Sequence, residues 1–200
     1  RRNGCIAPDY VQHYRPASWV AVDVMCDLAK LEREQGRLDE AEALLREGRR
    51  LREQTGEQDI GTLPSLDYQL GIVHFKQRRF ADALAAYQRA VAGYEQSHAG
   101  KSGTVVLALR GIAEVHAAQG QLDQAAEFYN RALAVEEKIN PLSTWVGNLC
   151  MDLAKLRRKQ GRLDESADLW KRAIERWGQN FGGQHISIVQ ALALVGEIRF

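Results

Sequence analysis

Cysteines and histidines are the side chains of this 200-residue chain best suited to hold a metal or attack an electrophile, so their spacing matters first. Cys5, Cys26 and Cys150 are odd in number and far apart, with no C-x-x-C pair. That spacing provides neither a disulfide framework nor a thiolate zinc site. Cys26 and Cys150 stand beside Met25 and Met151 on what read as helices, and are expected to be inert, half-buried thiols. His74 and His116 share one slot of a repeating pattern, which puts them about 8–10 Å apart on neighbouring helices. That is too far for easy convergence on one ion, so both are read as packing residues. Asp39, Asp82, Asp123 and Asp164 recur within two residues of the apolar residue that opens a helix. A carboxylate there complements the helix dipole, which is a structural role. Arg49, Arg50 and Arg52 are flanked by Glu47 and Glu53 and read as a solvated face. No phosphate-binding glycine loop, H-E-x-x-H or G-x-S-x-G occurs. The expectation is a protein that is not an enzyme and takes no cofactor or metal.

Composition narrows the class. The chain carries 27 Lys and Arg against 26 Asp and Glu, a net charge of +1, so nothing in bulk draws it to nucleic acid or an anionic bilayer. Charged residues are too frequent to leave the roughly 18–20 apolar residues of a membrane span. An apolar fraction of 45% argues for an ordered chain, and only four prolines favour long helices. No signal peptide is recognisable after Arg1 and Arg2, and there is no initiator Met, so the chain reads as a processed or excised segment. The expected location is intracellular, in the cytoplasm.

The elements that carry these residues repeat. LAKLEREQGRLDEA from Leu28 aligns with LGIVHFKQRRFADA from Leu70, IAEVHAAQGQLDQA from Ile112 and LAKLRRKQGRLDES from Leu153. Taking Gly36, Arg78, Gly120 and Gly161 as markers, successive spacings are 42, 42 and 41 residues. Each unit reads as two helices joined by a turn. The first helix carries a small residue (Ala29, Gly71, Ala113, Ala154) between large apolar ones at helical spacing. A turn residue, Gly in three of four units, then ends it. The second helix opens near Leu38, Phe80, Leu122 and Leu163. It follows a large–small–large–small ladder, as in Leu122, Ala125, Tyr129 and Ala132, which lets hairpins nest. Ser18, Thr62 and Ser143 are candidate N-caps.

This pattern resembles the tetratricopeptide repeat family over roughly residues 17–200. The period exceeds the usual 34 or so and is similar to the repeats of kinesin light chains and of many signalling adaptors. Glu32, His74, His116 and Arg157 replace a Tyr, and Arg78 replaces the turn Gly. The resemblance implies an all-α, right-handed superhelical solenoid of about four and a half hairpins. A lead-in of residues 1–16 would precede units 17–58, 59–100, 101–142, 143–183 and a partial 184–200.

In that family the first helices line a concave groove that receives an extended or helical peptide. Carried over slot by slot, the partner-binding residues become Lys30 in the first unit and Tyr68, Gln69, Ile72, Phe75 and Lys76 in the second. Leu107 and Arg110 follow in the third, and Asn148, Lys155 and Arg158 in the fourth. The slots of the family's chaperone-tail clamp hold Cys26, Lys30, Gln69, Leu107 and Gly111 instead, and the paired asparagines of kinesin light chains are missing. The implied groove is apolar at its middle and charged at its ends, which suits an amphipathic partner. The implied function is a protein–protein interaction scaffold, the alternative being a regulatory or sensor segment of a larger multidomain signalling protein. Nucleic acid is not an expected partner, because Asp23, Asp27, Glu34, Glu114 and Asp152 interrupt any basic stripe. The tail offers Ile186, Ile188, Val189, Leu192, Leu194, Val195 and Ile198, too many for a solvent-facing cap. It is expected to continue into further helix or to dock on a partner or a second copy.

Overall fold

The computed structural model describes residues 17–54, 61–96 and 103–181. Those residues form eight α-helices and no strand: α1 (Ala17–Glu34), α2 (Leu38–Gln54), α3 (Thr62–Lys76), α4 (Phe80–Gln96), α5 (Gly103–Ala118), α6 (Leu122–Ile139), α7 (Thr144–Lys159) and α8 (Leu163–Phe181). The lead-in 1–16 and the apolar tail 186–198 lie outside the described residues. The chain divides into two compact units, residues 1–93 and 94–200.

The turn inside each hairpin follows from one backbone requirement. Gly36, Gly120 and Gly161 take φ of +80°, +77° and +76°, the left-handed conformation that reverses a helix end, and Arg78 takes the same conformation at +61°. The next residue's N–H then reaches back to the carbonyl five residues earlier: Arg37 to Glu32, Arg79 to His74, Gln121 to His116 and Arg162 to Arg157, each at 2.9 Å. The second helices accordingly begin at Leu38, Phe80, Leu122 and Leu163, the residues that open the ladder in the alignment. Of the three candidate caps, Ser143 accepts a hydrogen bond from the Trp145 N–H at 3.0 Å. Thr62 is instead the first residue of α3. The Gly61 carbonyl already accepts from the Ser65 N–H, and Pro64 removes one of the donors that a cap would serve. Ser18 lies inside α1, after its start at Ala17.

In the first unit, Val22, Ala29, Ala41, Leu45, Leu66, Leu70, Val73 and Ala86 form one buried cluster across α1–α4. The small slots set how closely helices approach: a Cβ on Gly71 would lie 2.5 Å from the Tyr87 ring, and one on Gly93 would lie 2.5 Å from Pro64. In the second unit the same logic seats the Trp177 indole on Gly147, whose added Cβ would meet Nε1 at 2.7 Å. Tyr129, Leu149, Leu153 and Trp170 fill the large slots, all buried. Ser166 occupies a small slot, and its buried hydroxyl donates to the Ala154 carbonyl at 2.8 Å, which satisfies it.

Candidate functional site

Alternate faces of the first helices do different work. On α3, Leu66, Leu70 and Val73 point into the core. Tyr68, Ile72 and Phe75, which helical spacing places on another face, are half-buried, and Lys76 is exposed. Tyr68 leans on Tyr87 with ring centroids 5.9 Å apart, and Phe75 on Phe80 at 6.0 Å, so α4 holds both aromatics in place. Gln69 accepts a hydrogen bond from Arg33 of α1 at 2.7 Å. On α1, Lys30 is exposed and pairs with Asp27 at 2.9 Å. The first unit thus presents a polar step on α1 beside an apolar, aromatic step on α3.

In the second unit Leu107 is half-buried, and Lys155 and Arg158 are exposed. Asn148 accepts from the Trp177 indole N–H at 3.2 Å. Arg110 is already engaged: its Nε donates to Asp152 at 2.7 Å and its Nη2 reaches Glu114 at 3.1 Å. Two carboxylates share that one guanidinium. Burial, with Asp152 nearby, holds the Glu114 carboxyl above its ordinary range although Arg110 pulls it down. Burial, Asp152 and Glu114 likewise raise the Tyr129 hydroxyl. None of the eleven candidate residues is spent in the core.

The remaining reactive side chains have structural surroundings. Cys26 is half-buried and its thiol is raised by burial, while Cys150 is buried and pushed up to about 11 by the same cause. His74 is buried with Nε2 3.2 Å from Glu42, and His116 stacks on Phe128 at 5.4 Å with Nδ1 2.6 Å from Gln121. Among the described residues no group of three or more His, Cys, Asp or Glu could hold a metal ion.

Sequence reasoning missed the polar ties between helices. Glu42, nearly buried, gathers His74, Gln77, Arg79 and Arg46. Burial pushes its carboxyl up, but hydrogen bonds from Gln77, Arg79 and His74 and the Arg46 charge outweigh that and hold it below the usual carboxylate range. Asp67, buried, pairs with Arg49 and Arg89. Arg46, Arg49, His74, Asp82 and Arg89 line a cleft of about 390 Å³ between α2, α3 and α4, where Glu42 and Asp67 already engage the arginines. The recurring aspartates also do more than face a helix dipole: Asp39 accepts from Gln77 at 2.9 Å and Asp123 from Gln160 at 2.8 Å, each tying a second helix to the next hairpin's turn. The arginine run is not a solvated face as a whole. Arg50 is exposed and pairs with Glu47, but Arg49 reaches Asp67 and Arg52 is buried, because every fourth residue after Gly48 turns inward.

Family models described as tetratricopeptide repeat match residues 22–55 and 62–138, together more than half of the chain. Compared with curated proteins, the chain matches none. Among solved structures it is similar to a protein from Podosopora anserina described as a kinesin light chain with nearly identical TPR-like repeats. That match has 15% identity and a TM-score of 0.73, over 89% of this chain and 86% of that one. It is also similar to aspartyl phosphate phosphatase F of Bacillus subtilis, at 14% identity and a TM-score of 0.78, over 92% of this chain and 45% of that one. A third likeness is to a signal transduction ATPase with numerous domains from Pyrococcus horikoshii, which has a tetratricopeptide repeat sensor. It shows 14% identity and a TM-score of 0.72, over 95% of this chain and 27% of that one. Identities this low carry the fold, an all-α helical repeat, while this chain spans under half of the phosphatase and about a quarter of the ATPase.

Proposed function

Because the chain belongs to the tetratricopeptide repeat family, we propose that it is a protein-interaction module whose first helices offer a binding face to a partner peptide or helix. The observation that carries this reading is the division of labour on α3. One face is consumed by the core, while Tyr68, Ile72 and Phe75 stay half-exposed beside Lys76, held by ring contacts from α4. Rigid, partly buried aromatics inside a charged rim have the make-up of interface anchors. In the second unit Leu107, Arg110, Asn148, Lys155 and Arg158 extend the same slots, with Arg110 and its two carboxylates positioned to exchange partners with an incoming polar group. The role is non-catalytic, in the cytoplasm, with units near 17–58, 59–100, 101–142, 143–183 and a partial 184–200. No helix among the described residues is long and apolar enough to cross a membrane.

The test is Y68A/F75A against partner binding. Loss of both anchors should cost about 2 kcal/mol or more, roughly thirtyfold in Kd. Unchanged affinity in a variant that keeps its helical content would dismiss this face.

A second reading is a sensor or regulatory segment of a larger signalling protein, favoured by the likeness to the multidomain ATPase across 95% of this chain. It predicts that deleting this segment from the natural polypeptide changes the activity of a neighbouring domain. Self-association through the tail near 186–198 would appear as concentration-dependent sedimentation.

A further inference from the structure

Helix α1 leaves open a stripe that every later first helix buries. Val24, Leu28 and Leu31 are 52%, 42% and 51% exposed. One repeat on, the same slots hold Leu66, Leu70 and Val73, each at most 3% exposed and packed in one cluster with Val22, Ala29, Ala41 and Leu45 of the preceding hairpin. In the second unit the slots hold Leu149, Leu153 and Leu156, again at most 3% exposed. The repeat therefore supplies its own control: this face is built to be covered from the N-terminal side.

We propose that residues 1–16 fold back along α1 and lay Ile6, Tyr10, Val11 and Tyr14 on Val24, Leu28 and Leu31. Three lines of argument choose this occupant. The segment joins α1 directly, so contact is intramolecular and its effective concentration is high. Its reach is sufficient: Leu31 lies about 21 Å along the helix from Ala17, a distance that about seven extended residues cover. In a back-folded segment Tyr10 falls opposite Val24, being equally distant from Ala17 along the chain. Pro8 fits a helix's first turn, after which Tyr10, Val11 and Tyr14 fall at helical spacing. Charge also agrees, since residues 1–16 carry three arginines against one aspartate, and Asp23 and Asp27 lie on the flank of the stripe. A second copy is the weaker occupant. Three half-exposed residues offer a small fraction of the ~800 Å² per partner that a stable interface buries.

The experiment uses the full 200-residue chain and its variants Y10S/V11S, L28S/L31S and the combination, read by amide exchange over residues 20–31 and by sedimentation. Both parent substitutions are at surface or lead-in positions, so the core is untouched. The expected result is that Y10S/V11S speeds exchange in α1 about tenfold, L28S/L31S does the same, and the combination adds nothing further. Unchanged α1 exchange in Y10S/V11S, or fully additive effects, would overturn the proposal. So would a dimer that L28S/L31S abolishes, because the occupant would then be a second copy.

Discussion

Two glycines in helix interiors occupy slots where other units carry alanine, and the structure assigns their alanine variants opposite signs. Gly48 corresponds to Ala90, Ala132 and Ala173, and Gly71 to Ala29, Ala113 and Ala154. Replacing an interior helical Gly by Ala brings about 1 kcal/mol of helix propensity at either site. At Gly48 the added Cβ would find Leu66 at 3.5 Å, Val22 at 3.7 Å and Met25 at 3.8 Å, ordinary contact distances. G48A should therefore stabilise the fold by about 1 kcal/mol. At Gly71 the Cβ would sit 2.5 Å from both Cδ1 and Cε1 of Tyr87 and 2.9 Å from its Cγ, about 1 Å inside normal carbon–carbon contact. The Tyr87 ring is 2% exposed and lies against Tyr68, so it has little room to retreat. Overpacking of this kind costs about 1–3 kcal/mol, and a steric gap this short belongs at the upper end. Net destabilisation of about 1–2 kcal/mol is expected for G71A. Urea unfolding followed by helical circular dichroism reads both. With an m-value of about 2 kcal/mol/M, each kcal/mol moves the midpoint by about 0.5 M. A G71A midpoint at or above wild type would mean that propensity rather than the ring contact governs this slot. A lowered midpoint for G48A would show that its site has less room than these distances indicate.

Further expectations concern backbone, pH and thiol chemistry. G120A meets no atom within 4 Å of its Cβ but keeps φ near +77°, so it should lose about 1 kcal/mol from backbone strain alone, read by the same midpoint. Burial raises the Asp67 carboxyl more than Arg89 and Arg49 lower it. Its contribution to stability is therefore fully present below about pH 4 and is lost as pH rises through the folded value. D67N lacks that titration but also loses the pairs with Arg49 and Arg89, so its urea midpoint relative to wild type should rise as pH goes from 4 to 7; a relative midpoint that falls over that range would contradict the burial argument. The Cys150 thiol, pushed up to about 11 by burial, should react with a thiol reagent at pH 8 about a hundredfold more slowly in the folded chain than after unfolding in urea.

The hairpin register was legible because three constraints coincide every 42 or so residues: a small residue for close approach, a turn residue that tolerates positive φ, and a large residue to fill the gap. That is why all four second helices begin where the alignment puts them. Arg78 shows the limit of the turn rule, since it takes φ +61° with its guanidinium 5.7 Å over the Phe80 ring. The burial of Arg52 was also within reach. Its slot holds Tyr94 and Trp177 in other units, both buried, but the adjacent charges Glu47 and Glu53 mask the period. What local sequence could not supply is the pairing across repeats. Arg110 finds Asp152 42 residues on, and Arg33 finds Gln69 36 residues on, because helix packing sets those distances. All eleven candidate residues keep at least part of their surface open, while the engagement of Arg110 and the ring contacts of Tyr68 and Phe75 needed the folded chain.

If the chain is an interaction module of the kind proposed, its partners meet the first helices. A photo-crosslinking amino acid placed at Ile72 or Lys155, on that face, and at Arg131 or Lys171, exposed on second helices, tests this in extract from the native source. The predicted result is a discrete crosslinked protein from positions 72 and 155, competed by unlabelled chain but not by unlabelled Y68A/F75A at position 72, and none from 131 or 171. Crosslinks confined to positions 131 and 171 would contradict the central claim.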